Sequence, residues 1–295
     1  MQPNMVKLNT RNQNSFWGIL RRMPRAWIGG CLVLLVVLAA VFAPLFSPAD
    51  PLQQFREGLS ATGTPLPPDG QFPLGTDHLG RDMLSRTLFG ARVSLVISFI
   101  ANTTAAIIGT VIGVLAGYYS RAVDSILMRI TDIILAFPAI LLALGVGAVL
   151  RPSIPVAILI LTLITWAPLA RLVRGQVLSV RERAFVESAR CIGARDRRII
   201  LYHILPQILA VTIIWATVSF ASTILVEASL SFLGVGVPLP QPSWGNMIFE
   251  GQTRYRIAPW MIIVPTIAIL ITTFGFNLLG DAIRDALDPR TSQRL

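Results

Sequence analysis

The chain has 295 residues, of which 54% are hydrophobic and only 14% charged, where a soluble domain carries about 25% charged residues. That balance excludes an ordinary soluble domain, and several apolar runs reach the roughly 20 residues that cross a bilayer as helix. The net charge of +10 would suggest nucleic acid in a soluble chain, but in a membrane chain it is the excess left by retaining Lys and Arg on the cytoplasmic side, so no nucleic-acid partner is expected.

Residues 1–27 form a basic polar tail with a short helix expected near Phe16–Arg22. Residues 28–46 are the first span. It reads as an uncleaved anchor, because the segment before it is long for a signal peptide and Pro44 follows the small residue Ala43, a poor cleavage context. Residues 47–92 are an extracytoplasmic loop, rich in Pro and Gly up to residue 75. Its later part, Leu74–Leu95, predicts an amphipathic interfacial helix before the second span. Thr76 or Asp77 can cap it, Asp77–Arg81 and Asp82–Arg86 are i,i+4 pairs with the acid first, and Leu79, Met83 and Leu84 form the apolar side.

Residues 93–285 form a core of five further spans: Val93–Tyr118, Ile126–Leu150, Ile154–Leu172, Ile208–Val226 and Ile257–Leu279. A tail, 286–295, closes the chain. The fold class is therefore all-α, a polytopic membrane protein with six transmembrane helices embedded in the lipid bilayer. Of the 25 Lys and Arg residues, the tails, the second-to-third and the fourth-to-fifth connections hold the large majority. This bias places both termini and the loop 173–205 in the cytoplasm.

Within the spans, Gly109, Gly113 and Gly117 recur at i, i+4 and i+8. They open a groove for close helix packing, either inside this chain or against a second subunit. Pro138, Pro168 and Pro265 fall in or near spans, where membrane helices tolerate them. Asp132 is expected to pair with Arg129. Glu227 comes where the fifth span emerges, as an interfacial residue bonded to nearby backbone or as a polar contact at an outer gate. No span carries the chain of carboxylates or histidines that a proton relay needs.

Chemistry of other kinds finds no purchase. The only lysine is Lys7, in the tail, so a phosphate-binding loop of the GxxxxGK[ST] kind is impossible. His78 and His203 are expected on opposite sides of the membrane, and no zinc-ligand spacing, metal-ligand cluster or GxSxG elbow is present. Cys31 and Cys191 give no disulfide framework. No catalytic residue, cofactor or metal is expected in this chain.

The loop 173–205 is the most arginine-rich stretch. Glu182–Ile192 suits a helix that Gly193 ends, and the small residues Ser188 and Ala189 let another surface come close. Arg190, Arg195, Arg197 and Arg198 face an acidic partner or anionic lipid. Asp196–Tyr202 predicts a second short helix that bends at Pro206 into the fifth span. These residues alone leave two readings open, a loop anchored on headgroups and a surface that another protein pushes.

Glu187, Ser188, Ala189, Gly193, Leu205 and Pro206 resemble the cytoplasmic coupling loop of bacterial ABC importer permeases: Glu-Ala-Ala, a Gly six positions after the Glu, then Leu-Pro. Ser188 replaces the first alanine, and His203 stands where the pattern prefers isoleucine. GTDHLGRDMLSR, MRITDIILAFPAILLAL, EASLSFLGVGVPLPQPSWGNM and FNLLGDAIRDALDP are similar to the C-type permease of the dipeptide/oligopeptide/nickel importer family. The resemblance implies a type I importer permease fold, a five-helix core preceded by an extra span. It implies an assembly with a sister permease, two ABC ATPase subunits that bind ATP and Mg, and an extracytoplasmic binding protein. Residues 231–256 are the expected docking region, with Glu227, Pro242, Trp244 and Gly245 as gate or contact candidates. Di- or oligopeptides are the expected cargo. Nickel or another small solute of the same family is the alternative, followed by a self-contained secondary transporter and a membrane-embedded enzyme.

Overall fold

The computed structural model describes residues 16–119 and 122–287; the first fifteen residues of the basic tail and the tail from residue 288 lie outside the described residues. No named β-strand occurs among those described. Helix α1 (Phe16–Arg22) forms where the tail helix was expected. Helix α2 (Pro24–Val41) opens with a proline in its first turn, where the missing N–H costs nothing. Helix α3 (Ala43–Phe46) adds one turn after a break at Phe42.

The amphipathic helix expected within Leu74–Leu95 is not a separate element. Helix α4 (Met83–Tyr118) starts at Met83 and runs 36 residues without a break. The Asp82 carboxylate accepts from the Ser85 N–H at 2.7 Å and so caps it. Before it, Gly75 and Gly80 sit at φ +77° and +72°, a backbone that no right-handed helix contains. Asp77 and Arg81 do pair, but across a turn. With Asp82 spent as the cap, Arg86 pairs with Asp77 and Glu250 instead.

The third span also departs from expectation. In place of one helix over 126–150, α5 (Ala122–Ala136) and α6 (Ala139–Val149) meet at 90°. Pro138 is the cause. It offers no N–H and disfavours helical backbone at Phe137, and it is itself extended, at ψ 127°. Helices α7 (Ile154–Arg181), α8 (Ala184–Cys191), α9 (Asp196–Ile199), α10 (Leu205–Phe232), α11 (Trp244–Gly251) and α12 (Trp260–Leu287) complete the order. Among the described residues five helices are long and apolar enough to cross a membrane, or six if the bent pair counts as one span.

The most extensive helix contact is between α4 and α7, and the glycine groove makes it. A Cβ on Gly109 would stand 2.7 Å from the Trp166 carbonyl oxygen, one on Gly113 2.6 Å from that of Ala170, and one on Gly117 2.6 Å from the Val177 Cβ. The groove is thus filled by a helix of the same chain. Charges on α7 hold α5 against it. Arg174 grips the Asp124 carboxylate with two bonds of 2.5 and 2.6 Å. Asp132 takes Arg171 as its partner rather than Arg129; Arg171 stands one turn from Arg174 on the same side of α7, and the pair is exposed.

Candidate functional site

Helix α8 and the segment leading from it into α10 form one end of the molecule. The helix stops where expected, and its stop is a Schellman motif: Gly193 N–H donates to the Arg190 carbonyl at 2.9 Å and Ala194 N–H to that of Ala189 at 3.0 Å. Gly193 sits at φ +80° with open space around its missing Cβ, so the glycine serves the backbone conformation, not close packing. Val186 and Ala189 are buried with Val180 and Ile199. That corrects the reading of Ala189 as a point of close approach for another protein: it packs the helix onto its own chain. The outward surface is Phe185, Glu187, Ser188 and Ile192, with Ile192 85% exposed.

The second short helix is not separate either. From Asp196 the chain stays helical through α9, a wide π-type turn over Ile200–Ile204 and α10, as one element ending at Phe232. Leu205 and Pro206 follow directly on the wide turn; π-type turns are where a helix departs from the regular i→i−4 ladder, and the element continues past the proline. Three contacts that sequence reading missed tie this end to α4. Tyr118 donates its hydroxyl proton to Asp196 at 2.6 Å, the Arg190 guanidinium lies 5.6 Å from the Tyr118 ring centre, and Arg181 donates to the Gly117 carbonyl at 2.9 Å. Of these, the Arg190 contact comes from α8 itself, and the other two reach α4 from α9 and α7. The aromatic pair at the end of an apolar run was the one available signal. Arg195, Arg197 and Arg198 are exposed beside α8.

The opposite end of α4 holds a second cluster. Arg81 and Arg86 are almost wholly buried, and each bridges Asp77 to Glu250 of α11: Arg81 at 2.5 and 2.8 Å, Arg86 at 3.2 and 2.5 Å. Two charges of each sign, each with more than one partner, balance one another, while the buried Arg86 Nη1 has no hydrogen-bond partner. Trp260 donates to the Thr76 carbonyl at 2.9 Å and Trp244 to that of Thr87 at 3.2 Å, so α11 and α12 are pinned to the same knot.

The sequence shows no metal-ligand spacing, yet the fold brings ligand atoms of Asp77, His78 and Glu250 within 4.8 Å of one another. The carboxylate oxygens already accept from Arg81 and Arg86, and these two cations occupy the place of an ion. Burial holds the His78 imidazole below its ordinary value of 6.5, against the pull of Asp77 and Glu250.

Pro242, Trp244 and Gly245 are buried. A Cβ on Gly245 would collide with the Ala228 carbonyl oxygen. They form the buried base of the 231–256 segment, whose exposed residues include Leu239 and Tyr255. Glu227 is 1% exposed, and its hydrogen bond is to a side chain rather than to backbone. Its Oε1 accepts from the Ser231 hydroxyl at 2.9 Å, and that hydroxyl in turn accepts from the Val237 N–H at 3.2 Å.

Residues 109–293 match the family model of the binding-protein-dependent transport system inner membrane component, and residues 14–68 that of the N-terminal TM domain of oligopeptide transport permease C. The chain is 39% identical over 271 residues to the dipeptide transport system permease protein of Alkalihalophilus pseudofirmus, covering 92% of this chain and 88% of the relative. It is 42% identical over 277 residues to the glutathione transport system permease protein of Escherichia coli, covering 94% and 90%. The fold is similar to that of the methionine ABC transporter in inward-facing conformations, with TM-score 0.59 at 19% identity over 70% of this chain and 98% of that one.

Proposed function

The chain belongs to the binding-protein-dependent transport system inner membrane component family, the permeases of ABC importers, and from that premise we propose that it carries di- or oligopeptides inward across the cytoplasmic membrane with a sister permease. Two ATPase subunits bind and hydrolyse ATP with Mg, since this chain has no phosphate-binding loop. An extracytoplasmic binding protein delivers the cargo. Both termini and α8 face the cytoplasm, and the Arg81–Glu250 knot faces outward. The relatives named for dipeptide and glutathione transport favour peptides over nickel.

The observation that carries the coupling role is the attachment of α8. A short helix with an exposed face of Phe185, Ser188 and Ile192 meets one span through Arg190 over the Tyr118 ring and is joined through α9 to another. Seated in a groove of an ATPase, it turns closure of the ATPase pair into movement of α4 and α10. Glu187 in its first turn supplies an exposed charge at the positive helix end, and the exposed arginines complement an acidic rim.

The test is a mild-detergent pull-down of the chain from native membranes, with mass spectrometry of its companions. Two P-loop ATPases and a second permease are expected. Recovery of the chain alone, with assembly integrity secured by crosslinking, would overturn the reading in favour of a gradient-driven carrier.

A further inference from the structure

Helices α4 and α10 cross the molecule side by side, antiparallel, along a seam that is polar at intervals. Ser94, Ser98 and Asn102 stand at i, i+4 and i+8 on α4, so they share one face. The Asn102 amide donates to the Ala216 carbonyl at 2.8 Å. Further along, the Thr110 and Thr212 hydroxyls meet at 3.3 Å. These end contacts set an antiparallel register in which Ser98 is level with Thr223, one turn from Glu227 on the same face of α10.

Three buried polar atoms on this seam have no hydrogen-bond partner: the Ser98 hydroxyl, the Asn102 Oδ1 and the Glu227 Oε2. All three residues are at least 95% buried, at 0, 5 and 1% exposure. Orphaned groups are costly where water is scarce, and three along one helix pair ask for a common explanation. The inventory is complementary, with one spare donor and two spare acceptors. A slip of α10 along α4 by one helical turn, about 5.4 Å, brings Glu227 level with Ser98 and Thr223 level with Asn102. The Ser98 hydroxyl then donates to Glu227. Thr223, which in the described conformation donates back to the Ser219 carbonyl, donates to Asn102. Helix carbonyls recur every turn, so the Asn102 amide finds another acceptor, while the Thr110–Thr212 contact opens.

We infer that Ser98, Asn102 and Glu227 are positioning residues of the transport cycle: their unused hydrogen-bonding atoms are the partners of a second register of α10 against α4, one turn away. One-turn ratchets of packed helices are a known form of two-state switching. Slippage carries Asp196, continuous with α10, one turn along α4 and so opens its bond to Tyr118 at the end where α8 sits; the inference rests on the ABC importer reading.

The experiment uses the complete importer, purified and reconstituted, with Cys31 and Cys191 replaced by serine. One variant carries Ser98→Cys with Thr223→Cys, level in the described register. The other carries Asn102→Cys with Thr223→Cys, level after the slip. A short bismaleimide is applied without nucleotide and after trapping with ATP, Mg and vanadate. The expected result is that the first pair links in one state and the second in the other. A 98–223 link of equal yield in both states, or no link from either pair, would overturn the slip. Ser98→Ala gives the independent readout, because it removes no bond of the described conformation. Its yield should match wild type while uptake and substrate-stimulated ATPase fall about two- to tenfold, the worth of one hydrogen bond, with Ser98→Thr restoring them. Uptake by Ser98→Ala at the wild-type rate would remove that hydroxyl from the cycle. Absence of ATPase activity from the purified assembly would defeat the importer reading and the slip with it.

Discussion

Gly193 and His78 are single residues whose settings make opposite demands. The left-handed backbone at Gly193 disfavours any L side chain by about 1–2 kcal/mol, and the space around it is open. Gly193→Asp should therefore insert and assemble but lose the link between ATP hydrolysis and uptake, since it loosens the turn after α8 and sets a negative charge on the docking face. Uptake at the wild-type rate per ATP hydrolysed would count against α8 as the coupling element. His78 gives a pH signature. Above its ordinary value of 6.5 the folded and unfolded chains both hold it neutral, and the knot has its full stability. As pH falls below 6.5 the unfolded chain takes up the proton first, so stability declines until the lowered folded value is passed. The melting midpoint of the purified chain should fall as the pH drops below about 6.5, and His78→Gln should remove that part of the slope. Gly193 was legible in the sequence because its reason is local, a helix end four residues after a small-residue turn. The neighbours of His78 were not, since Arg81 and Glu250 are 169 positions apart.

At the scale of elements, the same division recurs. The spacing of Gly109, Gly113 and Gly117 announced a groove, but only the fold shows α7 as its occupant. Gly113→Leu should drive α4 and α7 apart at the tightest point, at about 1–3 kcal/mol or more, seen as a lower melting midpoint and lower membrane yield. The outer knot responds differently. Glu250→Ala leaves buried Arg86 and Arg81 with a single carboxylate, a loss of about 3–5 kcal/mol for an ion pair broken on one side. Replacing Arg86 and Glu250 together by Met and Leu should recover much of that stability, and a double variant no more stable than Glu250→Ala would refute the pairing. Apolar length and caps made the spans legible, whereas helix breaks were not. Pro168 and Pro265 lie inside α7 and α12 without ending them, while Pro138 turns the chain by 90°. The proline signal is the same at all three, and only the fold separates the break from the two tolerated positions. The inward side of α8 was hidden for a similar reason: Ala189 reads as a small exposed residue until α7 and Ile199 are seen to cover it.

For the molecule as a whole, α4 is the beam on which both ends are built. At 36 residues it is about 54 Å long, well beyond the roughly 30 Å of hydrocarbon, so it carries the knot at Met83 and the α8 anchor at Tyr118 clear of the lipid core. Sequence reading recovered the all-helical membrane fold and the helix end at Gly193, because hydropathy and helix-stop signals act along the chain. It missed what depends on distant segments meeting. The right-angled pair α5–α6 has a consequence for synthesis. Its halves, 15 and 11 residues, reach about 22 and 16 Å, and neither crosses a bilayer alone. A nascent chain that has emerged only as far as Val149 therefore holds a segment with no stable resting place in lipid, and its Asp124 and Asp132 still lack the arginines of α7. Chains truncated after Val149 should be cleared rapidly by membrane proteases in pulse-chase labelling, and chains extended to Arg181 should persist. The right angle makes the order of emergence part of the fold, with α7 acting as an internal chaperone for the segment made just before it.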